Sequence, residues 1–162
     1  MQVDFFKFAE KIEPVKEFGL VDNAPAEINY DENQKESWNA IVKCNNRDDY
    51  QFAPLDKKIK IMENFNKEES LCECLLHTKE TIAFVELKER KKQHTKQPIE
   101  QLENTIRLFK QTHNIDDFLF KKAFICNRKR PHYNEAKNSV CADFVTRNGV
   151  ALHIGIEIGE ME

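Results

Sequence analysis

No stretch of this chain approaches the roughly 20 consecutive apolar residues that a helix needs to cross a bilayer. Internal repeats and low-complexity tracts are missing as well, which argues against a repeat array. An excess of positive charge is also absent: 25 Lys and Arg stand against 28 Asp and Glu, for a net charge of −3. Proteins that grip long duplex DNA by its phosphates are usually strongly basic, so any nucleic-acid binding is expected to be local, weak or helped by a partner. No apolar leader opens the chain, and the five cysteines, Cys44, Cys72, Cys74, Cys126 and Cys141, suit a reducing cytoplasm. At 162 residues the chain suits a single domain with a proper core.

The most informative stretch is TIAFVELKER at residues 81–90, where Glu86-Leu87-Lys88 closes an almost uninterrupted apolar run. A strand apolar on both faces is normally buried on both, so charges at its end must be paired, bind an ion or reach a cleft. The period of two sends Ile82, Phe84, Glu86 and Lys88 to one face and Ala83, Val85 and Leu87 to the other. A hard divalent cation wants several oxygen ligands, so a second acid is expected on a neighbouring strand. LCECLL at residues 71–76 holds one, Glu73, alone in an apolar run. The polar residues 77–80 would connect the two strands as a hairpin, with Glu73 and Glu86 meeting if the register suits.

This pattern resembles the PD-(D/E)XK nuclease superfamily, the restriction-endonuclease-like fold, whose motif is an acid on one strand and acid-x-lysine on the next. Residues 98–111 strengthen the likeness, with Ile99, Leu102, Ile106 and Phe109 at helical spacing, followed by a strand-like segment at 122–127. Strand, strand, helix, strand is the order that core requires. CECLL, FVELKER, EQLENTIRLF and ICNRKRP look like successive blocks of a poorly characterised bacterial group within the superfamily, over about residues 38–158. The resemblance implies a Mg²⁺ (or Mn²⁺) ion held by Glu73, Glu86 and the Leu87 carbonyl. It further implies that Lys88 orients the attacking water or stabilises the phosphate, and that Gln101 on the following helix lies near the site. DNA is the implied substrate, with RNA as the other choice, and a homodimer is the implied assembly. A fold-preserving but decayed protein that binds nucleic acid or a protein partner is the alternative.

Two departures from the family pattern stand out. The first acid is usually aspartate after proline, whereas Glu73 has neither feature. Asp56, in Ala53-Pro54-Leu55-Asp56, is a rival for that role, although the adjacent Lys57 and Lys58 suggest a wet turn. Downstream, Arg128, Lys129 and Arg130 end a strand before a proline and form a candidate phosphate contact. A Cys72-x-Cys74 pair with His77 has a zinc-like look, but no second pair at ligand spacing follows, so buried thiols facing away from Glu73 are expected.

The expected architecture is an α/β domain with a restriction-endonuclease-like core, a central mixed sheet and flanking helices. Residues 1–37 are assigned to an N-terminal helix, from the spacing of Phe5, Phe8, Ala9 and Ile12, and a loop over 21–35 rich in Asn, Asp, Glu and Pro. Strands are expected at 38–44, near 50–52, weakly near Ile59 and Ile61, and as one alternating segment at 149–158, with a polar connection at 63–70.

Overall fold

A computed structural model of the chain describes residues 3–60, 62–63, 67–68, 70–88, 96–128 and 136–159. Strands β1 (Glu10–Lys11), β2 (Glu17–Asp22), β3 (Ala26–Asn29), β4 (Ala40–Lys43) and β5 (Gln51–Pro54) come first, with a 3-10 turn (Glu32–Ser37) before β4. A short hairpin of β6 (Met62–Glu63) and β7 (Lys67–Glu68) precedes β8 (Cys74–His77) and β9 (Thr81–Lys88). Helix α1 (Lys96–Thr112) leads to β10 (Phe120–Asn127), and helix α2 (Ala136–Asn148) to β11 (Ala151–Ile154) and β12 (Glu157–Ile158). The protein is therefore α/β, with a mixed multi-stranded sheet and few helices. No helix among the described residues is long and apolar enough to cross a membrane.

The main sheet has six strands in the order β1-β5-β8-β9-β10-β11, and a second sheet has four in the order β12-β4-β2-β3. Strands β5, β8 and β9 form an antiparallel meander, and α1 then carries the chain over so that β10 returns parallel to β9. A parallel neighbour cannot be reached by a tight turn, which is why a helix stands at this point. Pro98 lies in the first turn of α1, where its missing N–H is not needed. The α1 stripe of Leu102, Ile106 and Phe109 is buried, as its spacing dictates.

Alternation along β9 divides the interior in two. Ile82 and Phe84 join Leu75, Ala123, Leu102 and Phe109 in a core between the main sheet and the helices. Ala83, Val85 and Leu87 join Phe18, Leu20, Val42, Cys74 and Cys126 in a second core between the two sheets. The result is a stack of helices, main sheet and smaller sheet. Gly19 in β2 is required by close approach, because a Cβ there would run into the Trp38 ring.

Several elements differ from the sequence expectation. The N-terminal helix is not formed: the Asp4 carboxylate accepts the Phe6 N–H at 2.9 Å, a turn follows, and the chain enters β1 on the edge of β5. A single amphipathic turn of this length has little stability of its own, and strand pairing prevails. The expected loop at 21–35 holds the end of β2, all of β3 and the start of the 3-10 turn. The strand expected at 149–158 is two strands on different sheets: Leu152 and Ile154 pack toward the helices, whereas Ile158 packs between the sheets. Ile59 is buried in a turn rather than a strand, and Ile61 is outside the described residues. Within the connection at 63–70 stands the β6–β7 hairpin. Helix α2 was not expected, because Phe144 is its sole fully buried side chain among those described. It ends on Gly149, whose φ of 69° lets its N–H reach the Val145 carbonyl at 2.9 Å.

Candidate active site

Charged and polar side chains collect where β9 and β10 end and β8 begins. Glu86 sits on the helix-facing side of β9, following Ile82 and Phe84, and is 0% exposed. The register that pairs Cys74 with Val85 sets Glu73 opposite Glu86 when continued by one rung. Glu73 is only 6% exposed, and the Leu55 N–H donates to its carbonyl at 2.9 Å, which brings the end of β5 alongside. Lys88 Nζ lies 3.3 Å from Glu86 Oε2.

The carboxyl groups are poorly provided for. Glu73 Oε2 and Glu86 Oε1 are buried and accept no hydrogen bond among the described residues. Burial first, then the Glu86 charge, pushes the Glu73 carboxyl up to about 8, with Asp22 and Asp56 adding to the effect and Lys88 opposing it. Burial likewise pushes Glu86 up to about 7, against the pull of Lys88. Removing a carboxylate from water without donors favours its neutral form, and these groups carry that cost. No three His, Cys, Asp or Glu side chains among the described residues are gathered tightly enough to hold an ion by themselves.

The remaining predicted residues are placed as follows. Gln101 donates from Nε2 to Ser70 Oγ at 3.1 Å, so it braces the segment entering Glu73. Its neighbour Thr105 accepts the Cys72 N–H at 2.8 Å and donates to the Gln101 carbonyl at 2.7 Å. Arg128 donates to the Glu36 carbonyl at 2.9 Å, tying the end of β10 to the 3-10 turn. Lys129 and Arg130 are outside the described residues. The two thiols do not share a face: the chain bends at Glu73, so Cys72 joins the helix-side core while Cys74 joins the inter-sheet core. Burial pushes both thiols well up, away from the thiolate a metal would need.

Sequence reasoning passed over two polar residues at this end, Asn127 and Asp22. Asn127 is buried on β10 and pairs in register with Lys88. Asp22 ends β2, where Phe18 and Leu20 alternate into the inter-sheet core, so its own parity aims it toward the main sheet. That Phe-x-Leu-x-Asp pattern was a usable signal, hidden by the polar residues that follow. Asp56, the rival for the role of Glu73, follows Leu55, whose N–H donates to the Glu73 carbonyl at 2.9 Å, and its charge helps to raise both buried acids.

No protein-family model matches this chain, and neither a curated protein nor a solved structure matches it.

Proposed function

We propose that the protein is a metal-dependent nuclease with a restriction-endonuclease-like core, hydrolysing nucleic-acid phosphodiester bonds, with DNA the leading substrate and RNA the second. The observation that carries this reading is a fully buried Glu86, its Oε1 unpartnered, with Lys88 Nζ 3.3 Å from Oε2 and the buried Glu73 close enough to feel its charge. Support also comes from the topology: an antiparallel β5-β8-β9 meander, the α1 crossover and a parallel β10 follow the order such a core requires.

The donor set suits a hard divalent cation: two carboxylates with oxygens to spare and the Leu87 carbonyl, with no buried thiolate competing. A bound Mg²⁺ or Mn²⁺ would supply a water of lowered pKa and positive charge against the phosphate. Glu73 and Glu86 hold that position and must give up their protons to do so, which the raised affinity of each for a proton opposes. Lys88, fixed by Glu86, presents its ammonium to the attacking water or to the phosphate oxygens. Asn127 lies beside Lys88 in register and can position it or the phosphate. Arg128, with Lys129 and Arg130 after it, is the proposed backbone contact.

The test is incubation of the full chain with plasmid DNA, single-stranded DNA and RNA in Mg²⁺ or Mn²⁺. Metal-dependent cleavage that disappears in Glu86→Gln, together with loss of Mn²⁺ binding in that variant, is the expected result. Cutting that persists in chelator, or in Glu86→Gln, overturns it. The decayed alternative draws on the loose grouping of the acids; it predicts Mn²⁺ binding, or nucleic-acid binding alone, without cleavage of any of the polymers.

A further inference from the structure

We propose that a cleft between the outer edges of the two sheets holds a single-stranded nucleic acid beside the buried acids, with Phe8 and Tyr30 as stacking rings and Lys58 as a phosphate contact. Its link to cleavage rests on the nuclease reading, which it narrows to a single-stranded substrate.

The cleft has a volume of about 610 Å³ and is walled by β3, the last strand of the smaller sheet, and by β1 and the end of β5. That is the size of a small-ligand site. Strand β1 covers only Gln51 and Phe52 of β5, so Pro54, with no N–H to leave unpaired, becomes part of the wall. Two of the large apolar side chains left exposed among the described residues line this one place, Phe8 and Tyr30, each 38% exposed. Exposed rings gathered in a hollow mark a contact surface. Lys58 Nζ lies 5.3 Å and Lys7 Nζ 5.4 Å from the centre of the Phe8 ring, so two ammonium groups stand against it. The Tyr30 hydroxyl accepts the Glu13 N–H at 3.1 Å, which fixes that ring in the cleft wall.

Strand β5 joins the cleft to the acid end. Pro54 pairs with Cys74, the residue after Glu73, the Leu55 N–H donates to the Glu73 carbonyl at 2.9 Å, and the Lys58 N–H donates to the Leu55 carbonyl at 3.0 Å. A strand lying over Phe8 and Lys58 is thereby led toward the buried acids.

Charge selects the occupant. The lining mixes Lys11 and Lys58 with Glu10, Glu13 and Glu27, and the chain carries −3 overall, so a duplex that shows phosphates along its whole outer surface is poorly matched. A single strand offers both partners: phosphate oxygens for the lysines, and base amino groups that can donate to the carboxylates. Its base faces are also open, and only then can a ring cover them. An extended peptide pairing with the β3 edge is the competing occupant, but it makes no use of flat rings flanked by ammonium groups.

The experiment is fluorescence anisotropy of the full chain with a labelled single strand of about 12 nucleotides and a hairpin duplex, as DNA and as RNA, in chelator so that no cutting intervenes. The single strand is expected to bind about tenfold or more tightly than the hairpin. Phe8→Ala weakens it by about tenfold, and Lys58→Ala weakens it severalfold and flattens its salt dependence. Lys79→Ala, an exposed position at the far end of the β8–β9 hairpin, changes neither. Unchanged melting temperatures check that each variant folds. Binding indifferent to Phe8 and Lys58, or no preference over the hairpin, overturns the cleft assignment and leaves the nuclease reading to its own cleavage test. No binding of either oligonucleotide overturns it too and passes the cleft to a peptide. Cleft-dependent binding with no cleavage in Mg²⁺ or Mn²⁺ keeps the cleft and overturns the nuclease reading.

Discussion

The two ends of the β8–β9 hairpin bury ionisable groups in opposite ways. At one end His77 and His113 lie in a nest of rings, with Phe6 4.8 Å from His77 and 5.0 Å from His113, and Phe109 stacked 4.7 Å from His113. Burial lowers both histidines, and His113 Nε2 accepts the Phe5 N–H at 3.1 Å, so the rings sit neutral and packed. At the other end Glu73 and Glu86 are buried with oxygens unpartnered. A neutral ring is accommodated by packing, whereas a carboxylate without donors is accommodated only by a proton or a cation. The first end is closed by packed rings, although His77 Nε2 is buried without a hydrogen-bond partner among the described residues, and the second carries the desolvation cost of its acids.

Breaking the ring end is expected to give the largest effect. Phe109→Ala removes the ring shared by Phe5, Phe6, Phe84 and His113 and should cost about 3–5 kcal/mol in denaturant unfolding. At the acid end, Lys88→Ala should slow cleavage by roughly 10²–10³ while leaving Mn²⁺ affinity nearly intact. Wild-type cutting by this variant would remove Lys88 from the site.

The pH dependence of stability sharpens the contrast, because the two ends have opposite signs. Glu73 and Glu86 are raised above the usual 4.5. Their contribution is full below that value and is lost as pH rises through about 7 to about 8, on the order of a few kcal/mol in metal-free protein. The histidines are lowered from 6.5, so their contribution is full above that value and is lost as pH falls through the folded values. Mn²⁺ should flatten the alkaline limb only, and His77→Phe should weaken the acid limb only. Smallest of all, Glu86→Gln in metal-free protein near the top of that alkaline range should stabilise the fold by about 1–2 kcal/mol, by removing a buried charge. A destabilised variant there would mean that Glu86 serves the fold.

Legibility followed the range of the interactions involved. Strand β9 and helix α1 were readable because their apolar residues repeat at periods of two and of about 3.6 within one short segment. Helix α2 was not, since one buried aromatic makes too weak a stripe. Ile154 and Ile158 alternate as one strand would, yet the chain leaves one sheet for the other between them. Asp22 was lost in a stretch whose Asn, Asp and Pro content reads as loop, although Phe18 and Leu20 before it carried the strand signal. The bond from Arg128 to the Glu36 carbonyl gives that residue a structural duty that its place in a basic run did not announce.

By itself, the order of residues determined that Glu86 and Lys88 end a strand buried on both faces, because alternation and apolar composition are local properties. Which groups surround them was decided by the tertiary structure alone. The register of β8 on β9 ends with Cys74 against Val85, one residue short of Glu73 and Glu86, and the packing of β2 on β9 brings the Asp22 charge within reach of both acids. Such meetings depend on pairings across distant parts of the chain, where shifting a strand by one residue would turn every side chain to its other face.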